Sequence, residues 1–161
     1  MLGLIHKLQK STIKLNNMTG DNMDKNMDYA ALREEMLALH KASIDAHLEK
    51  NIPFFTQDVS DKFVSVSRGE INKPSKEETT AMFTSYLENT EFSEYRDVQE
   101  PIIGFSKDGS IAWSIVQVKV SGKQKINEEE ANLDYISSWI MLYERQGNKW
   151  VKLVNASSFK P

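Results

Sequence analysis

Three strand-like runs, each carrying a tryptophan, crowd the last third of the chain and constrain its fold more than any other feature. They are Ile111 to Val120 with Trp113, Tyr135 to Tyr143 with Trp139, and Trp150 to Ser158. All three are dense in β-branched and aromatic residues, the composition of a half-buried pleated surface. A sheet packed on one side and wetted on the other shows polar residues on one alternating set only. Here polar and apolar residues fall on both sets, so each face of the sheet is expected to meet something else: helices, a cavity or a partner.

The 161 residues allow one domain with a real core and are too few for two comfortable ones. A net charge of −3 argues against a nucleic-acid binder, which gathers a basic excess on one face. With no cysteine there is no disulfide, thiolate metal site or cysteine nucleophile. No run approaches the roughly 18 apolar residues of a transmembrane helix. Together with the lack of a recognisable signal peptide, this makes a cytoplasmic location the expectation.

Residues 1–27 differ in character from the rest. Leu4, Leu8 and Leu15 share a helical face, and Lys7, Lys10 and Lys14 supply charge with no acidic residue among them. A basic amphipathic helix of this kind can lie on an anionic membrane or dock on a partner. The plainer expectation, which we favour, is a frayed or disordered polar leader outside the fold. The domain then covers 28–161, and membrane contact is expected only if 1–15 forms a true amphipathic helix.

From Tyr29 to Lys50, Leu32, Met36, Leu37, Ile44 and Leu48 recur at helical spacing, and Asn51-Ile52-Pro53 should end that helix. Lys62 to Ser67 reads as a first strand, turned by Arg68-Gly69-Glu70. Pro74-Ser75 followed by Glu78 is a capping-box pattern that opens a second helix, with Met82, Phe83, Tyr86 and Leu87 as its buried stripe. Tyr95 to Phe105 is a further extended run, interrupted at Pro101. Asp108-Gly109 and Gly147-Asn148 are hairpin signals. The charged stretch from Ser121 to Asn132 is expected to be a loop at the sheet edge.

This order of elements resembles the nuclear-transport-factor-2-like (NTF2-like), or cystatin-like, α+β superfamily. Within it, the likeness is to the SnoaL-like and calcium/calmodulin-kinase-association-domain branch of small stand-alone proteins. The resemblance covers about Asp28 to Pro161. It is carried by Phe63 to Glu70 before the capped helix, Asp108 to Trp113 at a hairpin, and Gly147 to Val154 near the end. It implies an α+β fold in which a curved antiparallel sheet wraps around N-terminal helices to form a cone with an apolar pocket. It also implies a homodimer through the outer sheet face. Enzymes of this superfamily place an Asp or His base, or a Tyr–Asp donor pair, inside the cone. Related stand-alone proteins often carry inward histidines on the final strand. The matching stretch here, Leu153 to Ser157, has Asn155 and Ser157 at the inward polar positions. Neither is a base near neutral pH, though both can orient a ligand.

Other candidates are sparse. His40 and His47 lie two helical turns apart, too far for an i, i+4 metal chelate, and no third ligand is evident. A catalytic dyad would need one of them to meet a carboxylate from elsewhere in the fold. Arg68 and Arg96 could meet an anionic ligand, although exposed arginines are the commoner outcome. No glycine-rich phosphate loop, nucleophile elbow or metal-spaced cluster is present, so neither cofactor nor metal is expected. Trp113, Ile115 and Gln117 share one sheet face, and Tyr135, Ser137, Trp139, Met141 and Tyr143 share one on the neighbouring run. Either set could line the cavity or form an interface or core. The expected ligand-binding residues are Trp113, Gln117, Trp139, Tyr143, Asn155 and Ser157. Two functions remain. One is a dimeric protein binding a largely apolar or carbonyl-bearing small molecule, with acid–base turnover of the isomerase, cyclase or dehydratase type open. The other is a non-catalytic homodimerisation module.

Overall fold

The computed structural model describes residues 27–127 and 129–160. The expected leader therefore lies outside the described residues, apart from Met27. Helix α1 spans Tyr29–Leu48, and the Asp28 carboxylate caps it by accepting from the Ala31 amide at 3.0 Å. Its buried face is Leu32, Met36, His40, Ala46 and His47, an apolar stripe with two imidazoles set into it. The helix ends where expected, as the chain reverses at Lys50 in the left-handed region (φ 56°).

Pro53 does more than stop α1. Asn51 caps a second, one-turn helix, α2 (Ile52–Thr56), and Pro53 sits in its first turn, where a missing N–H leaves no bond unmade. Strand β1 (Val59–Ser67) turns through Arg68-Gly69 into a short β2 (Glu70–Asn72). Helix α3 (Lys76–Glu88) opens with the expected box: the Ser75 hydroxyl accepts from the Glu78 amide, and the Glu78 carboxylate accepts from the Ser75 amide. Its buried positions are Thr79 and Leu87, with Phe83 and Tyr86 half-buried. Met82 is 57% exposed, so the expected stripe was one residue too wide.

The remaining strands are β3 (Thr90–Asp97), β4 (Ile102–Phe105), β5 (Ile111–Ile126), β6 (Glu129–Gln146) and β7 (Lys149–Lys160). They form one sheet in the order β2-β1-β7-β6-β5-β3, with β4 also paired to β5. Pairing is antiparallel except between β1 and β7. The stretch expected as a charged loop is not one. The β5–β6 hairpin runs in unbroken register out to Ile126 opposite Glu129, and its charges pair across the strands, as Lys123 does with Glu130 at 2.6 Å. The polar alternation that suggests a loop here marks the wetted tip of a long hairpin.

The sheet curves around the helices and does not close. Irregular pairing in β1–β7, β3–β5 and β6–β7 bends it. At the β3–β5 irregularity a Cβ on Gly122 would stand 2.2 Å from the Glu91 carbonyl oxygen, so only glycine lets the strands approach there. Alternation along β5 and β6 sends Ala112, Ser114, Val116, Val118 and Val120 to the same face as Tyr143, Met141, Trp139, Ser137 and Tyr135. That concave face meets the helices, and the core lies between them: Met36 with Ala112 and Tyr143, Ala46 with Phe55 and Leu87, and Tyr95 with Val118 and Val120. Among the described residues no helix is long and apolar enough to cross a membrane.

Candidate functional site

Between α1, α3 and the concave face the packing is incomplete, leaving a cavity of about 1030 Å³. Its wall draws on α1 (Ser43, His47), α2 (Phe55), α3 (Met82, Phe83, Tyr86) and the inward positions of β3, β5, β6 and β7. The sheet contributes Tyr95, Val120, Tyr135, Ser137, Trp139, Met141, Asn155 and Ser157. Their convergence follows from register: Trp139 is opposite Ser157, and Met141 opposite Asn155, so alternate residues of adjacent strands present one patch.

His47 is the most constrained polar group in this wall. It is 8% exposed and ringed by aromatics: Tyr95 stacks on it at 4.1 Å between centroids, and the edges of Phe55, Tyr86 and Phe92 approach within 4.6–6.3 Å. Its Nδ1 lies 2.7 Å from the Ser43 carbonyl oxygen, which can only accept, so Nδ1 carries the proton. Nε2 then holds the lone pair, and the Tyr95 hydroxyl donates to it at 3.2 Å. Burial makes the charged form unfavourable and lowers the imidazole pKa to about 4, which the Ser43 bond opposes and His40 slightly reinforces. At neutral pH His47 is an uncharged acceptor of fixed tautomer.

The phenols nearby are held neutral. Burial raises the Tyr86 and Tyr95 hydroxyls far above their ordinary range, and the adjoining Tyr135 phenol raises both further. Tyr86, Tyr95 and Tyr135 thus bring hydroxyls to an otherwise largely apolar wall, the Tyr95 O–H being already committed to His47. Asn155 adds an unusual element: its Oδ1 is buried with no hydrogen-bond partner among the described residues. A ligand or water able to donate to that oxygen recovers a lost hydrogen bond.

The expected site residues separate into three groups. Trp139, Asn155 and Ser157 lie on the cavity wall. Tyr143 faces inward on β6 as they do, but further along, where Met36 covers it; burial pushes its hydroxyl up to about 12, with Ser114 pulling the other way. Trp113 and Gln117 must be corrected. They occupy the odd positions of β5, whose even positions face the cavity, and so belong to the opposite, convex face. Trp113 is accommodated there by Gly104 on β4, where a Cβ would stand 2.3 Å from the indole. A shift of one residue between equivalent-looking alternations reverses the face, and nothing in the β5 run itself distinguished the two.

Sequence reasoning missed the histidines' partners. His40 Nε2 lies 2.7 Å from the Asp97 carboxylate on β3, so a histidine–carboxylate pair exists. Asp97 faces inward beside Val118, so the carboxylate such a dyad needs comes from β3. His40 does not line the cavity; its ring is 6.5 Å from that of Trp139, which does. The only available signal was the pair of histidines on the buried stripe of α1. A second groove, of about 760 Å³, runs between β1, β6 and β7 and is lined by Asp58, Asp61, Lys62, Glu144 and Lys149 among others, a charged surface without a comparable aromatic wall. Among the described residues no group of three or more metal-ligating side chains comes together.

No protein-family model matches the sequence, and no curated protein matches it either. Solved structures do. An NTF2-like protein from Cytophaga hutchinsonii superposes with a TM-score of 0.62 at 15% identity, covering 78% of this chain and 96% of the other. A candidate dehydratase from the NTF2-like family of Streptomyces avermitilis gives 0.65 at 10% identity, covering 83% and 99%. A cystatin-like-fold protein from Caulobacter vibrioides gives 0.60 at 10% identity, covering 80% and 89%. The chain therefore has the NTF2-like, cystatin-like cone fold anticipated from its order of elements.

Proposed function

We propose that this protein binds a small, largely apolar, carbonyl-bearing metabolite in the cone, as a homodimer. The observation that carries this reading is the wall itself: aromatic and aliphatic surface broken by a few convergent polar tips, the usual make-up of a ligand site. The hydrogen-bonded Tyr86–Tyr135 pair supplies an O–H donor suited to a carbonyl oxygen, and Asn155 supplies an acceptor without a partner among the described residues. A structural neighbour such as the candidate dehydratase fits a pocket of this kind without fixing its reaction.

Turnover, if any, would rest on His47 and Tyr95. An imidazole whose conjugate acid sits near 4 is a weak base for proton abstraction. It gains strength only when a ligand places negative charge beside it, which favours the protonated form. Chemistry at this site would therefore be an acid–base step coupled to a developing oxyanion.

The dimer reading rests on the convex face. Val64, Val66, Ile140, Leu142, Val154 and Ala156 all lie there, none belongs to the three core clusters, and Ile115 beside them is 40% exposed. An apolar sheet face of this breadth suits a second copy related by a two-fold axis. The same face supports the second reading, a homodimerisation module whose cavity holds no ligand. A native mass spectrum of gently purified protein separates them. A dimer with a reproducible extra mass is the expected result. A bare dimer that also fails to take up apolar carbonyl compounds would leave the module, and a monomer would remove the dimer from both.

A further inference from the structure

Arg68 stands at the β1–β2 turn, on the wall of the cavity beside Gly69, Ser158 and Phe159. Three observations set it apart. First, among the described residues it is the one charged side chain of that wall: none of their carboxylates or lysines lines the cavity, and His47 is neutral at physiological pH. In a chain of net charge −3, the described wall of this cavity thus carries a single positive charge. Secondly, Arg68 is not neutralised locally. Arg33 pairs with Glu100, Arg96 with Glu94 and Arg145 with Glu35, whereas among the described residues no carboxylate comes within ion-pair distance of Arg68. Thirdly, its backbone is in the left-handed region (φ 54°), as is that of Gly69 (φ 81°). Asparagine or glycine is the favoured first residue of such a turn, so a long cation occupies a position where the backbone alone would choose otherwise.

The guanidinium is also positioned. Its Cζ lies 5.9 Å from the centroid of the Phe159 ring, a cation–π contact that holds the head group against the cavity wall. A guanidinium presents paired N–H donors matched to a carboxylate, while the phenols, Trp139 and Met141 deeper in the wall favour an apolar body.

Resting on the pocket reading above, we infer that Arg68 selects the ligand's charge: the cavity takes an amphipathic carboxylate, with its apolar body in the cone and its anionic end on Arg68 at the rim. The cavity is then polarised along its depth, with a fixed cation at the rim and neutral donors and acceptors inside.

Two probes that differ only in the end group test this on the full chain: pyrenebutyrate, an apolar carboxylate, and pyrenebutanol, its neutral counterpart, each titrated and followed by pyrene fluorescence. Wild-type protein is expected to bind the carboxylate roughly tenfold more tightly at low ionic strength, with the advantage shrinking as salt is added. Arg68→Asn, which suits the left-handed turn and so keeps the fold, should lose that advantage while binding pyrenebutanol as before. Arg68→Lys should keep most of it, since the charge remains. Equal binding of the two probes by the wild type, or a preference that survives in Arg68→Asn, overturns the role of Arg68 and leaves the pocket standing. If neither probe binds, the pocket reading fails and this inference falls with it.

Discussion

The concave face of the sheet has a packed end and an open end, and the same two strands build both. At the packed end Ala112 and Tyr143 are opposite one another and Met36 closes over them. Eight residues along each strand, Val120 and Tyr135 are again opposite one another on the same face; both reach the cavity wall, Val120 from the core beside Tyr95 and Tyr135 half-buried. The strands keep their alternation; the cover changes. Helix α1 lays Met36 on the first pair and ends at Leu48 just past His47, and the chain then turns away into α2. Strand alternation decides which side chains face inward, whereas helix length decides which of them are packed and which are left to meet a ligand.

The sharpest way to break this division is to cut each end. Met36 is 1% exposed, so Met36→Ala should destabilise the protein by about 3 kcal/mol, read from the denaturation midpoint. Met82→Ala, on the cavity wall and largely exposed, should cost less than about 0.5 kcal/mol. Similar losses at the two positions would mean that the ends are not packed differently.

Acid sharpens the comparison. The His47 pKa falls from 6.5 in the unfolded chain to about 4 in the fold. The unfolded state therefore takes up the proton first. The stability associated with neutral His47 is complete above pH 6.5 and is lost as pH falls from there to about 4, amounting to about 3 kcal/mol at most. Because carboxylates titrate in part of that window, the informative quantity is the difference between wild type and His47→Phe. The variant should show a visibly flatter loss of stability on acidification; parallel pH profiles would contradict the buried, neutral imidazole.

Much of the fold was legible because its signals are local. Capping at Ser75 and Glu78, the Asp108-Gly109 and Gly147-Asn148 turns and the tryptophan-bearing strands each need only neighbouring residues to be read. The site was half-legible. Resemblance and alternation bring Asn155, Ser157 and Trp139 to the cavity wall, whereas Trp113 and Gln117 lie on the convex face, because β5 carries apolar side chains on both faces and its run does not tell them apart. The His40–Asp97 and His47–Tyr95 contacts join residues 57 and 48 positions apart, and no local pattern encodes such a pairing.

Smaller effects probe the two ends with matched changes. Tyr143→Phe removes a buried hydroxyl at the packed end and should cost about 1 kcal/mol in stability without altering pyrenebutanol binding. Tyr135→Phe at the open end should do the reverse, weakening binding about fivefold with little change in thermal midpoint. The smallest effect is expected at Gln117→Leu on the convex face, which should leave pyrenebutanol binding unchanged. Asn155→Leu, which removes a buried oxygen that has no partner among the described residues, should leave stability intact and change binding alone. Calorimetry and a probe titration on these four variants would show whether stability and binding divide between the ends as described.

The chain's three tryptophans permit the most direct test, because each reports on a different region. Trp139 lines the cavity, Trp150 packs by Phe105 beside the Met36 cluster, and Trp113 lies on the convex face. Their indole N–H resonances, assigned by single Trp→Phe variants, can be followed together in one ¹⁵N–¹H titration with pyrenebutanol. A saturable shift of Trp139, with Trp113 and Trp150 nearly still, is the predicted result. Movement of Trp113 ahead of Trp139, or no movement of any of the three, would contradict a ligand site at the open end of the cone.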